Sequence, residues 1–270
     1  MSHKSTSKKF ENLSWPEVQT IANKRGSTLV WPFGAIEQHG YHLPLSTDSL
    51  ISEKILEEVI SGFSEDLPIL SLPPHKIGFS PEHLNFSGTL SMSSKLIVES
   101  IIEIGQQIHE MGFKRLILFN SHGGQIGLLQ AAARELKIKT PKMAIFPCFI
   151  WSGVKGIEDL IPKDEYENGL HAALLETSLM MCLAPDLVDD SNLSYGNITN
   201  SLTSDIPSGW SFEGATPLAW MTNELTDSGV IGDPSRSNPL LGSKIKEKLV
   251  THWINMFQSL LSSDWPMDIK

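Results

Sequence analysis

The chain has 270 residues, 40% of them hydrophobic, with a formal net charge of −10 and an isoelectric point near 5.3. That is ample material for a sizeable core, and the acidic balance argues against non-specific nucleic-acid binding and attraction to anionic membranes. No apolar run approaches the roughly 20 residues of a membrane helix, and Cys148 and Cys182, far apart in sequence, indicate neither a disulfide framework nor a cysteine-based zinc site.

Residues 1–11 are polar and basic with no apolar stretch behind them. They read as a disordered tail rather than a signal peptide, which predicts a cytoplasmic protein with one domain over 12–265. Short, nearly all-apolar runs at 27–34, 67–74, 114–121 and 142–150 read as strands covered on both faces. Helical patterns alternate with them at 46–63, 91–113, 126–139, 171–185 and 238–263. The first has Ile51, Ile55, Leu56 and Val59 near helical spacing, with Ser46 or Thr47 as its cap. Alternation of this kind implies an α/β fold, a parallel sheet with helices on both faces. Residues 186–237 are rich in Gly, Pro, Ser, Asn and Asp and lack periodicity; a lid, a pocket wall and a plain surface excursion all suit them.

Four stretches carry residues able to do chemistry. In "GAIEQHGYHLPLSTD" (34–48) the first apolar run ends in Glu37, His39, His42 and Asp48. Glu37 and His39 are two apart, so in extended backbone they point to one side, at the strand end where open α/β sheets place ligands. Two carboxylates and an imidazole suit Zn, Mn or Fe, although solvated carboxylates and a packed histidine would look the same in sequence. "FNSHGGQIG" (119–127) puts His122 at another strand end, with Gly123 and Gly124 allowing close backbone approach to a ligand. It is no phosphate loop, because no Lys-Ser/Thr follows the glycines. "HAALLETS" (171–178) opens a predicted helix with His171; Glu176 lies about 140° further round, so the two would border a cleft without sharing one small site. "GFSPEHLNFSGTLSMS" (78–93) reads as a shaped loop with Ser80, Glu82 and His83 as polar groups for a pocket or simply for hydration. No G-x-S-x-G or HExxH pattern is present.

Together these stretches resemble the creatininase (creatinine amidohydrolase) family. The resemblance rests on Glu37-x-His39, "GYHLP" (40–44) with Asp48, Asn120-x-His122, His171 five residues ahead of Glu176-Thr177-Ser178, the 78–93 loop and "GVIGDP" (229–234). It implies a three-layer α/β/α fold and a hydrolase of amide C–N bonds in small nitrogenous compounds. It further implies two divalent ions per chain (Zn, Mn or Fe) and homo-oligomers, hexamers among them. On the matched motifs Glu37, Asp48 and His122 would hold one ion, His39 and the bridging Asp48 would reach the other, and His171 would transfer the proton. Ser80, His83, Gly123, Gly124 and Trp151 are the expected substrate contacts. Two positions depart from the creatinine-specific pattern: Gly124 stands where a second-ion glutamate is expected, and Glu167 where a covering Trp is expected. Glu176 is the candidate to fill the ligand gap, as ligand or as hydrogen-bond partner of one. Formylpyrimidine-nucleotide deformylases and peptide-trimming members fit the resemblance as well. A binding protein that keeps the fold without catalysis is the alternative of another class.

Overall fold

The computed structural model describes residues 7–193, 206–212 and 216–266. Four strands form one sheet: β1 (Thr28–Phe33), β2 (Ile69–Ser71), β3 (Arg115–Asn120) and β4 (Ala144–Phe149), with helix α1 (Trp15–Ala22) ahead of β1 and the short helix α5 (Lys163–Asn168) after β4. All neighbours are parallel, in the order β2-β1-β3-β4. Thr28 pairs with Arg115 and Phe33 with Asn120, so β1 and β3 end level with each other.

The all-apolar strands are explained by what covers them. Side chains alternate across a strand, and both faces are buried. Val30, Ile117 and Phe119 point into a core built with α2 (Thr47–Ser61), α6 (Leu174–Leu183) and the C-terminal helix Pro239–Leu261. Leu29, Trp31, Phe33, Leu116 and Leu118 point the other way, into a core shared with α3 (Ser94–Glu110) and α4 (Ile126–Lys139). This is the expected three-layer α/β/α arrangement.

The chain leaves β1 for β2 on one side of the sheet and runs through β3 to β4 on the other. The crevice between the ends of β1 and β3 is therefore a topological switch point, where such sheets bind ligands. Gly34 permits the tight exit from β1, because a Cβ there would run into the Ser49 backbone at the start of α2.

Several boundaries differ from the sequence expectation. β2 covers three residues, since Pro73 and Pro74 follow closely. α3 starts at Ser94, capped by Ser93, whose side chain accepts from Leu96 N–H. Residues 1–6 of the expected tail lie outside the described residues. Residues 7–11 are tied down: Lys8 O accepts from Ser71 N–H at 2.9 Å, and Lys9 makes a parallel bridge to Ser71. The largest correction concerns His171. α6 begins only at Leu174, and His171 sits before it in an antiparallel bridge to Ile231.

Candidate metal centre

Glu37 and His39 follow β1 in a loop closed by the Glu37 N–H to Leu45 O hydrogen bond of 2.9 Å. Asp48 lies in the first turn of α2, where the helix's exposed N–H groups favour a carboxylate. Its carbonyl accepts the Ser121 hydroxyl at 2.7 Å, which ties α2 to the end of β3. His122 is fixed by Asn120: the Asn120 amide donates to His122 O at 2.7 Å, and its Oδ1 accepts from His122 N–H at 3.0 Å.

These elements bring Glu37, His39, Asp48 and His122 into one buried cluster. His122 Nδ1 is 3.3 Å from Glu37 Oε2 and 3.3 Å from Asp48 Oδ2. His39 Nε2 is 3.7 Å from Asp48 Oδ1 and 3.9 Å from Glu37 Oε1. With metal–ligand distances of about 2.0–2.2 Å, two ligands of one tetrahedral ion stand roughly 3.4 Å apart. The outer nitrogens are already committed: His122 Nε2–H donates to Phe79 O at 2.9 Å, and His39 Nδ1–H to Glu37 O at 3.2 Å. Such bonds orient imidazoles toward an ion. Glu37 Oε2, His39 Nε2 and Asp48 Oδ2 are buried with no hydrogen-bond partner. Buried polar atoms are rarely left so, and an oxygen–nitrogen donor set of this kind fits Zn, Mn or Fe.

Electrostatics point the same way. Burial alone would lower the His39 pKa, but Asp48, with Glu176 and Glu37, raises it to about 9. Burial likewise opposes protonation of His122, and Glu37 and Asp48 overcome it, holding the imidazole well above its ordinary value. Burial would raise the Asp48 carboxyl; His122 and His39 instead hold it far below the usual range. Protons on two imidazoles thus offset carboxylate charge that a cation would otherwise meet.

His171 and Glu176 join the cluster from the other side. Because His171 precedes α6, the helical separation expected from the sequence does not apply, and its ring sits 4.3 Å from those of His39 and His83. Ala172 between them takes φ 51°, a left-handed conformation uncommon outside glycine, which helps turn His171 inward. His171 Nε2–H donates to Gln38 O at 2.7 Å, leaving Nδ1 facing Glu37 Oε1 at 3.9 Å. Burial, reinforced by the charges of His39 and His83, keeps His171 neutral, its pKa well below the ordinary value. Glu176 Oε2 accepts Ala172 N–H at 2.7 Å, and the carboxylate lies within ligand reach of His39 and His171. Burial raises that carboxyl to about 7.

His83 was expected at the substrate side, and it stands with Nε2 3.5 Å from Glu37 Oε1. Its Nδ1 is met by the Gln38 amide at 2.9 Å and the Thr222 hydroxyl at 2.8 Å. Gln38 donates from the same nitrogen to Gly229 O at 3.0 Å and accepts Gly40 N–H on its oxygen, so its orientation is set. Nδ1 of His83 is therefore an acceptor, and the ring proton sits on Nε2, facing the cluster.

Ser80 is fully buried, with its hydroxyl 3.2 Å from His122 Nε2. Gly123 opens the turn after β3, and Gly124 backs onto His122 and Glu82. Trp151 is half-buried against the core beside α2, α6 and the C-terminal helix. His42 is turned away: its Nε2 is 2.8 Å from Thr177 Oγ1. Glu167 is largely exposed and pairs with Lys163 at 3.4 Å, so it does not cover the site.

Gln38, Thr222 and Trp220 were not singled out in the sequence. Trp220 stands edge-on to His83, ring centroids 6.4 Å apart. The only hint was the aperiodic 186–237 stretch, whose described parts reach the cluster through Trp220 and Thr222 at His83, Gly229 at Gln38 and Ile231 at His171.

A buried carboxylate–histidine cluster at the switch point of a parallel sheet is a site whose donor set suits a divalent ion. A family model described as creatininase, creatinine amidohydrolase, matches residues 11–257, and the chain belongs to the creatininase family of hydrolases. Relatives include the mycofactocin precursor peptide peptidase of Mycobacterium ulcerans (strain Agy99), 28% identical over 236 residues, 83% of this chain and 81% of that protein. The creatinine amidohydrolase of Pseudomonas putida is 28% identical over 193 residues, 66% of this chain and 72% of its own. A solved structure titled "Creatininase Mn" has the same fold, with TM-score 0.76 at 22% identity, covering 96% of this chain and all (100%) of that one. No described helix is long and apolar enough to cross a membrane.

Proposed function

We propose that this chain hydrolyses an amide C–N bond in a small nitrogenous compound, using two divalent ions (Zn, Mn or Fe) held by Glu37, His39, Asp48, His122 and Glu176. The observation that carries the reading is the convergence of unpartnered buried atoms, Glu37 Oε2, His39 Nε2 and Asp48 Oδ2, around an Asp48 whose two oxygens face two histidines. When bound, the ions make water nucleophilic at neutral pH and polarise the scissile carbonyl.

The rest falls to the chain. His171, neutral and pinned through Nε2–H to Gln38 O, accepts at Nδ1 the proton shed by the attacking water and passes it to the leaving nitrogen. His83, with its proton fixed on Nε2, orients the substrate by donating to it. Ser80 steadies His122, Gly123 and Gly124 keep the rim low, and Trp220 is the aromatic beside His83.

The second reading is an amide bond in a short peptide. The match to proteins named as peptide peptidases favours it, since it extends over 83% of this chain against 66% for the creatinine amidohydrolase. Both readings share the cytoplasm and a homo-oligomer as setting. The test is one panel: chain reloaded with Zn²⁺ or Mn²⁺, against creatinine and other cyclic ureides, formamides and short peptides, scored for released amine or formate alongside elemental analysis. Turnover that needs the metal and is absent in Asp48→Asn supports the proposal. Metal-loaded protein that binds panel members without turning any over would make it a binding protein instead.

A further inference from the structure

We infer that Glu82, carried by the loop before α3, is a carboxylate ligand of the ion held by Glu37 and His122, in the space that Gly124 leaves open. The inference rests on the two-metal reading above and adds a ligand to it.

Glu82 sits in a one-turn segment, Pro81–His83, held on both sides. Ser80 N–H donates to Ser91 Oγ at 2.9 Å, and Met92 N–H to Gly78 O at 2.9 Å. The side chain is only 13% exposed. Its Oε1 is 3.5 Å from His122 Nε2 and 4.0 Å from His83 Nε2, and among the described residues these imidazoles are its ion-pair neighbours. Ligand atoms of Glu37, Glu82 and His122 all lie within 4.8 Å of one another. A carboxylate so enclosed is costly without a cation or good donors. His122 Nε2–H is already given to Phe79 O. An ion beside Glu37 answers the charge of Glu82, as it does the bare Glu37 Oε2.

Gly124 fits the same arrangement. A Cβ built there would run into Glu82 Oε1 and lie 2.7 Å from His122 Nε2. A side chain at 124 and the Glu82 carboxylate therefore compete for one volume beside His122. The missing side chain at 124 and the acid at 82 are two halves of one packing solution. The outcome is an asymmetric centre. On this reading Glu37, His122 and Glu82 would hold one ion with Asp48 shared between the two, and His39 and Glu176 would serve the other.

The test uses the full chain, stripped of metal and reloaded with Zn²⁺. Bound zinc is counted after gel filtration, and affinities are read by competition with a chromophoric chelator. In Glu82→Gln the tighter zinc is expected to weaken by more than about 100-fold, beyond the roughly 10–100-fold of an outer hydrogen-bond partner. Melting of the metal-free protein controls for folding; should Glu82→Gln fail to fold, Glu82→Asp, one methylene shorter, is read the same way. Zinc affinity within about 100-fold of the parent overturns the inference. The paired variant Glu82→Gly/Gly124→Glu is expected to hold zinc more tightly than Glu82→Gly alone; no gain overturns the shared volume. A parent chain that takes up no zinc fails the two-metal reading itself, and full parent binding unchanged in Glu82→Gln fails only this inference.

Discussion

Asp48 turns its two carboxylate oxygens to two different histidines: Oδ1 lies 3.7 Å from His39 Nε2, and Oδ2 lies 3.3 Å from His122 Nδ1. One side chain at a helix start thus links the loop after β1 to the loop after β3. Asp48→Asn keeps the shape and removes the charge. It is expected to cut bound metal to less than half the parent content and to abolish metal-dependent turnover, as measured by elemental analysis and the substrate panel. Full metal content in the variant would show that Asp48 is not the shared ligand.

His39, at about 9 in the metal-free protein, lies above the ordinary histidine value of 6.5. A raised folded-state pKa contributes stability that is complete below the unfolded value and is lost as pH climbs through the folded one. Glu176, raised to about 7 from 4.5, acts in the same sense over its lower window. Metal-free protein is therefore expected to melt at progressively lower temperature from about pH 6.5 to 9.5. Zinc-loaded protein should show a much flatter profile, because the ion replaces the protons. Metal affinity should rise over the same range. A flat melting profile for the metal-free protein would contradict the assignment.

His171 and Glu176 separate on substitution. His171→Asn is expected to keep its metal and to lower turnover by roughly 10²–10⁴-fold, the scale of a lost proton-transfer group. Loss of metal would make Nδ1 a ligand instead. In Glu176 one oxygen is taken by Ala172 N–H at 2.7 Å, which leaves the other for an ion. Glu176→Gln is expected to reduce bound metal from about two per chain to about one. Two ions retained but held about 10–100-fold more weakly would make Glu176 an outer partner of His39.

The proton on His83 is decided by Gln38 and Thr222, both of which reach Nδ1. ¹⁵N-labelled histidine spectra of the metal-free protein should show His83 as the Nε2–H tautomer. Gln38→Leu removes the donor and strands nearby polar groups, at a cost of about 1–3 kcal/mol in stability. It should raise KM more than it lowers kcat if His83 orients the substrate. An Nδ1–H signal for His83 in the parent would overturn this account.

Much of this protein was legible along the chain. Apolar runs such as Arg115–Asn120 read as buried parallel strands because both faces of the sheet are covered, and that leaves no polar alternation to read. Glu37, His39 and His122 could be placed on one rim because parallel strands end on the same side and residues two apart share a face. His171 was found by its motif but misplaced, because helical periodicity from 174 onward runs on smoothly through Ala172 and Ala173, and nothing local marks the left-handed turn at Ala172. The tertiary structure alone decided that His42 faces Thr177 and not the cluster, that Gln38 sets the tautomer of His83, and that Trp220 and Thr222 meet His83 from more than a hundred residues away. The same holds for Glu82 and Gly124, which share one volume although 42 positions separate them in the chain. Residue type and spacing encode what a segment does by itself. Which side chains meet across loops depends on how the sheet and helices bring those loops together, and no local pattern records it.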